Sequence, residues 1–286
     1  MMTELKLPYG LKNDQLISID EVDSGLSCEC ICPACRQQLI ARKGSIKIHH
    51  FAHYKSPDCF GGFETALHQM CKEIIFNNQT FTTPTLYYPG THYEIFEERK
   101  IPIDNVQLEK KLGGIIPDII IESKGKKLVV EIVVNNPVDD IKRQKIKSEN
   151  IATIVIEAKY LIKGFYLKGD YRLTDEAFQK ELVEGTKFKY WLHNPKLQKI
   201  RTDLKNNYGI RKQVKSFETD IGFYYYVDNC PLQKRFWKGG RNKGKPYASI
   251  ENDCNNCIFC ISIDNNFIPN IVNCIGHIKN EFRQLL

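Results

Sequence analysis

An α/β fold is predicted for this chain: a mixed sheet with helices on both faces, flanked by a zinc-binding, β-rich unit at each end. Three observations lead to it. Pro117–Asn136 reads as two apolar, β-branched strands, one ending in Ile119, Ile120 and Ile121 and the other running from Leu128 to Val134, with turn chemistry at Ser123, Lys124 and Gly125. A helical stretch, Asp139–Glu149, and another buried strand, Ile151–Glu157, follow, and strand, helix, strand implies a parallel crossover. Cysteines and histidines cluster at short spacings before and after this core, as structural metal sites require.

Length and charge set the outline. At 286 residues the chain exceeds one typical domain, and the motifs divide it into 1–59, 60–194 and 195–286. Residues 1–194 carry 26 Lys and Arg against 26 Asp and Glu, whereas residues 195–286 carry 15 against 8. The whole net charge of +7 therefore belongs to the last third, which points to nucleic acid. No run of 18 apolar residues occurs, so no membrane span is expected. The first residues, MMTELKLPYGLKND, are charged where a signal peptide needs an apolar core, so a cytoplasmic protein is expected. In that compartment 11 cysteines suggest metal binding rather than disulfides.

Residues 3–27 suggest a hairpin, with Leu5–Tyr9 and Gln15–Val22 about an Asn13-Asp14 turn. Cys28, Cys30, Cys32 and Cys35 come next. A second hairpin, Gln37–Ala41 with Ile46–Ile48, leads into His49-His50-Phe51-Ala52-His53, and Cys59 follows. Two thiolates on a turn and two imidazoles suit tetrahedral Zn²⁺, so Cys32, Cys35, His50 and His53 are the expected ligands, with Cys59 as the alternate to His50. A small β-unit with little core needs such a link. Cys28 and Cys30 are expected to face elsewhere.

After Gly61-Gly62 a helix is expected over Phe63–Asn77, burying Phe63, Leu67, Met70, Ile74 and Ile75. Glu64, His68 and Lys72 recur every four residues and share its other face. In the strand pair, two acids interrupt apolar runs: Asp118 at the start of the first and Glu131 inside the second. Carboxylates buried in strands are costly unless paired or bound to a cation, and a few carboxylates with water and phosphate are what Mg²⁺ takes.

The order Cys32-Pro-Ala-Cys35, Arg42-Lys-Gly44, His50-Phe-Ala-His53, then Glu64 to His68 and Lys72, then Pro117-Asp118, then Glu131 resembles the CoiA-like competence family. The resemblance implies a small zinc-binding unit ahead of a PD-(D/E)xK, restriction-endonuclease-like core of order αβββαβ. It also implies that Glu64, Asp118 and Glu131 are the acidic site residues. A Lys normally stands two residues after the second acid; here that position is Val133, which donates nothing. A lysine from a neighbouring helix is expected in its place, with Lys72 and Lys145 as the candidates. Thr85–Tyr88 and Tyr93–Ile103 are expected at the sheet edge, Leu112–Ile116 as an extension of the strand bearing Asp118, residues 165–173 as irregular, and Asp175–His193 as helical.

In the last third, Lys196–Lys215 is basic and interleaved with Tyr208 and Phe217, suiting phosphate contacts and base stacking. Cys230, Cys254, Cys257 and Cys274 are expected as a second structural zinc site, with Cys260 and His277 as alternates. The lysines and arginines between Lys234 and Lys245 would then grip DNA. Two functions follow. One is a Mg²⁺- or Mn²⁺-dependent deoxyribonuclease using Glu64, Asp118, Glu131 and Lys72, with Asp118 and Glu131 on the metal, acting in DNA uptake, recombination or anti-phage defence. The other is a nuclease-fold protein that binds nucleic acid as a structural or adaptor subunit, with a protein partner.

Overall fold

A computed structural model describes residues 7–46, 49–57, 59, 61–167, 175–266 and 268–286. The chain forms two compact units, Met1–Pro84 with Glu98–Asn194, and Thr85–Glu97 with Pro195–Leu286. Among the described residues no helix is long and apolar enough to cross a membrane.

The first unit is mixed α/β around a five-stranded sheet. Its order is Lys189–His193, Thr153–Glu157, Lys126–Val133, Ile119–Ser123, Asn105–Leu108. Lys126–Val133 and Thr153–Glu157 pair in parallel across helix α2 (Asp140–Ser148), and the other pairs are antiparallel. The tight turn falls at Lys124 and Gly125, both at positive φ. Helix α1 (Gly62–Phe76) precedes these strands and packs Ala66, Leu67, Met70, Cys71 and Ile75 into their core.

Several expectations need correcting. The sheet edge is Asn105–Leu108, not the stretches at 85–88 and 93–103. Leu86–Tyr87 and Glu94–Phe96 instead pair with each other in the second unit, and Arg99–Pro102 pairs with Thr80–Thr83. Leu112 and Ile115 bridge across a turn at Gly113 rather than extending a strand. Glu157 runs straight into α3 (Ala158–Leu167), which the sequence reading missed. The irregular stretch expected at 165–173 lies outside the described residues from 168 onward. Helix α4 (Asp175–Val183) stops early. Gly185 breaks it, and the aromatic-rich Lys189–His193 joins the sheet as a fifth strand.

The N-terminal part of this unit is a set of short hairpins. Tyr9–Lys12 pairs with Gln15–Ser18 about Asn13 and Asp14, both at positive φ. Ser18 then caps a short 3₁₀ turn, in a capping box with Glu21, and so ends the strand expected to reach Val22. Leu5 and Lys6 lie outside the described residues, and Leu7 bridges Phe51. Leu39–Arg42 pairs with His50–His53, so these histidines sit within a strand rather than after one. Residues 47 and 48 lie outside the described residues.

The second unit is β-rich. Helix α5 (Pro195–Tyr208) opens its long segment, with Pro at the first position, where the missing N–H costs nothing. A three-stranded sheet orders Ile210–Gln213, Ile268–Cys274, Cys260–Asn266. A four-stranded sheet orders Lys215–Thr219, Gly222–Asp228, Pro246–Ser249, Arg235–Phe236. One apolar cluster of this unit is built around Cys230, Cys254 and Cys274. Another holds Tyr88, Leu204, Ile261, Ile275 and Phe282.

Candidate active site

Asp118 stands at the entry to the strand Ile119–Ser123, and Glu131 lies on the neighbouring strand Lys126–Val133 of the central sheet. Asp118 immediately precedes Ile119, and Ile119 pairs with Val130. Its carboxylate accepts from the Ile132 backbone N–H at 2.8 Å, which pins it beside Glu131. His68, one turn along α1 from Glu64, reaches the same Asp118 oxygen at 3.1 Å. Burial pushes the Asp118 carboxyl up, but His68, the Ile132 N–H and the Lys142 charge outweigh it and hold the group below the usual range.

Glu131 behaves in the opposite way. It is 3% exposed. Burial, and then the charge of Asp118, push its carboxyl up to about 7, against the pull of Lys142. One Glu131 oxygen accepts from Lys142 Nζ at 2.7 Å, while the other, Oε1, is buried without a partner. An orphaned buried carboxylate oxygen beside a second carboxylate is a donor set suited to a hard divalent cation. Glu64, half-buried on α1, accepts from Asn135 at 2.9 Å and Asn136 at 3.4 Å, just beyond the strand that carries Glu131. Lys159 on α3 donates to Asn135 at 2.6 Å.

The cation at this site was missed in the sequence. Lys72 is drawn off by Glu109, at 2.6 Å. Lys145 packs beside Gly114. Lys142 is one of four Lys and Arg between residues 142 and 147 of the helical stretch, and that basic run does not itself single it out. It lies in the first turn of α2, where Asp139 caps the helix by accepting the Lys142 backbone N–H at 2.9 Å. That places its side chain over Glu131. The signal available was the Asn-Asn-Pro-Val-Asp cap, which fixes where the helix starts and therefore which lysine turns inward.

The N-terminal cluster also differs from expectation by one ligand. Donor atoms of Cys32, Cys35, His53 and Cys59 all lie within 4.8 Å of one another. His53 Nε2 is 3.2 Å from Cys35 Sγ, and Cys32 Sγ is 3.6 Å from Cys59 Sγ. His50 is replaced by Cys59 for a reason of parity: residues 50 and 53 of one strand face opposite sides. Cys28 and Cys30 are buried and donate to the carbonyls of Leu39 and Cys28. Burial works upward on the Cys35 thiol, but the Gln37 N–H, His53 and the neighbouring sulfurs bring it down to about 7. Three sulfurs and one imidazole can hold a zinc ion in a closed tetrahedral site.

Residues 17–60 match the N-terminal domain of competence protein CoiA. All four donors of the cluster fall in this CoiA-like stretch, which ends just before α1. No curated protein and no solved structure matches the chain.

Gly62, the first residue of α1, lies directly against the CoiA-like cluster. A Cβ there would come within 3.2 Å of both Cys32 Sγ and Cys59 Sγ. The Cys/His cluster and the helix bearing Glu64 and His68 thus meet without an intervening side chain.

In the second unit Cys230, Cys254, Cys257, Cys260 and Cys274 line one cavity. The Gly276 N–H donates to Cys274 Sγ at 3.3 Å. Burial and the neighbouring sulfurs push the Cys254 thiol up to about 12. Among the described residues the donors here are not drawn within 4.8 Å as they are at the first cluster. His277, the alternate to Cys274, is exposed and does not line the cavity.

Proposed function

We propose that this protein is a Mg²⁺- or Mn²⁺-dependent nuclease that hydrolyses the phosphodiester backbone of DNA on a PD-(D/E)xK-like core. The observation that carries the reading is the pair Asp118 and Glu131: one carboxylate at the entry to a strand and one on the strand beside it, the latter with a buried oxygen lacking a partner and facing a lysine. The order within the five-stranded sheet supports it: after α1 and the intervening strands between Thr80 and Pro102 come three antiparallel strands, α2 and a parallel strand, which is compatible with αβββαβ. Asp118 and Glu131 would hold the divalent cation, with Glu64 at its edge. Such a cation neutralises phosphate charge and acidifies a bound water. Lys142 takes the part of the motif lysine absent at Val133, its ammonium stabilising the charge that grows on the phosphate. His68 holds Asp118 in place and ionised.

The N-terminal Cys₃His cluster is assigned to structural zinc, and the C-terminal cavity to a second zinc on Cys230, Cys254, Cys257 and Cys274, with Cys260 as the alternate. DNA is the partner, bound chiefly by the basic second unit. The similarity to the CoiA N-terminal domain favours a setting in DNA uptake or recombination over one in defence.

A binding-only reading draws on one observation: Lys142 already occupies an oxygen of Glu131, where a cation would otherwise sit. Plasmid and linear DNA incubated with Mg²⁺, Mn²⁺ or no added metal decide between the two. Metal-dependent cleavage that Glu131→Gln abolishes, and that Lys142→Met lowers by roughly 10²- to 10³-fold with unchanged DNA affinity, supports the nuclease. Binding without cleavage under every metal favours the second reading. Equal cleavage by wild type and Glu131→Gln refutes the assigned site.

A further inference from the structure

The four-stranded sheet of the second unit has an inner and an outer face. Along Gly222–Asp228, Tyr225 and Val227 pack into the cysteine-centred cluster, so Tyr224 and Tyr226 stand on the other side. Phe217 pairs with Tyr224 on the neighbouring strand, and their ring centroids are 5.1 Å apart. Trp237 stacks on Tyr247 at 4.2 Å and 18°, and Tyr226 meets the Trp237 ring edge-on at 5.0 Å. Phe217 lies 6.3 Å from Trp237 and closes the patch. None of these five rings is buried, and Phe217 is 42% exposed.

Cross-strand aromatic pairs stabilise small sheets by themselves, and that would account for one or two such pairs. It does not account for the charge around them. Residues 210–249 carry nine Lys and Arg against three Asp and Glu. The acids beside the rings are already paired: Asp228 with Lys215 at 2.8 Å, also accepting from the Trp237 indole N–H at 3.3 Å, and Asp253 with Arg235 at 2.6 Å. The loop joining Trp237 to Tyr247 presents Lys238, Arg241, Lys243 and Lys245, all exposed, and among the described residues none of the four is in a salt bridge. Flat apolar rings flanked by unpaired cations match a ligand that is itself flat and apolar on one side and anionic on the other. Duplex DNA hides its base faces; unpaired DNA offers them.

We infer that this outer face is a stacking platform for single-stranded DNA, in which Trp237, Tyr247 and Phe217 take bases and the 238–245 loop takes phosphates. The inference rests on the nucleic-acid reading above, but on a surface that contains none of Glu64, Asp118, Glu131 or Lys142. It can therefore stand or fall separately from cleavage.

The test is a fluorescence titration of the full chain, without added Mg²⁺ or Mn²⁺, using a thymidine 20-mer, a uridine 20-mer and a duplex of equal length. In a Trp191→Phe background Trp237 is the sole indole, and its emission is expected to be quenched by the thymidine strand. Trp237→Ala and Tyr247→Ala should each weaken that binding roughly ten- to a hundred-fold, the loss expected for one stacked base. Duplex affinity should change little. Tyr224→Leu keeps bulk on the strand while removing a ring, and serves if Trp237→Ala fails to fold. Lys243→Ala with Lys245→Ala should weaken both ligands and flatten the salt dependence. Wild-type binding of the thymidine strand that neither Trp237→Ala nor Tyr224→Leu weakens overturns the platform. So does duplex binding without single-strand binding. Tighter binding of the uridine strand overturns the assignment to DNA. Absence of binding to all three ligands overturns the platform together with the nucleic-acid reading, whereas failure to cut with normal quenching leaves it intact.

Discussion

At the scale of single residues, the paired acids of the central sheet are pushed in opposite directions by their surroundings. Asp118 has a histidine, a backbone N–H and a nearby ammonium in its favour; Glu131 has burial and its neighbour's charge against it. The sign for stability follows. A carboxyl whose folded pKa is raised stabilises the fold fully below its unfolded value and loses that contribution as pH rises through about 7. Lys189 adds a contribution of opposite slope. It is buried, donates to the carbonyls of Thr82 and Val183, and sits 4.0 Å over the Phe81 ring. Burial pushes its ammonium down to about 7, so its contribution recovers as pH climbs above that point. Metal-free protein should therefore melt lowest near neutrality. Glu131→Gln should remove the fall on the acid side, and Lys189→Met the recovery on the alkaline side, each on the order of a few kcal/mol. Thermal melts between pH 5 and pH 9 in the absence of Mg²⁺ and Mn²⁺ check both signs. The two acids were legible in the sequence because each breaks an apolar run. Lys142 was not, because it depends on the rotation of a helix that carries four Lys and Arg between residues 142 and 147.

At the scale of elements, the N-terminal cluster shows where spacing stops being informative. Cys-x-x-Cys identified two ligands, since a turn of that length aims both sulfurs the same way. His-x-x-His misled for the second pair, because that spacing shares a face on a helix but splits across faces on a strand. The distinction is measurable. Cys59→Ser should lower the zinc content of the N-terminal unit and its melting temperature together, because the metal's binding free energy is also folding free energy. His50→Gln should keep the zinc. Metal analysis and melting of the two variants decide it, and loss of zinc in His50→Gln with retention in Cys59→Ser would reverse the assignment. The missed strand at Lys189–His193 belongs to the same class of error. Phe178 and Leu182 fit a helix, but Gly185 breaks the pattern, and the aromatic content of the residues beyond it suits a pleated sheet.

At the scale of the whole molecule, the division into units does not follow chain order. Residues 85–97 leave the first unit and return to it, and Thr83 pairs with Arg99, so the two ends of the excursion are already together. A shortened chain ending at Asn194 should accordingly expose Tyr88 and aggregate. One that also replaces residues 85–97 by two glycines should stay soluble, keep its N-terminal zinc, and bind DNA more weakly and with a flatter salt dependence than the full chain. Size-exclusion chromatography and a salt titration test this, and solubility of the first chain equal to that of the second would count against it. The sequence showed the basic last third through composition alone, but nothing local in 85–97 reveals that its partners lie nearly two hundred residues away. That distance matters during synthesis. Tyr88 packs edge-on against Phe282 at 5.0 Å, and at about 5–20 residues per second the ribosome needs roughly 10–40 s to deliver the second ring after the first. Until then the excursion has left the ribosome ahead of its own core, and once Asn194 is made it is an unpartnered loop on a first unit otherwise complete; any holdase that tends this nascent chain has its natural grip there.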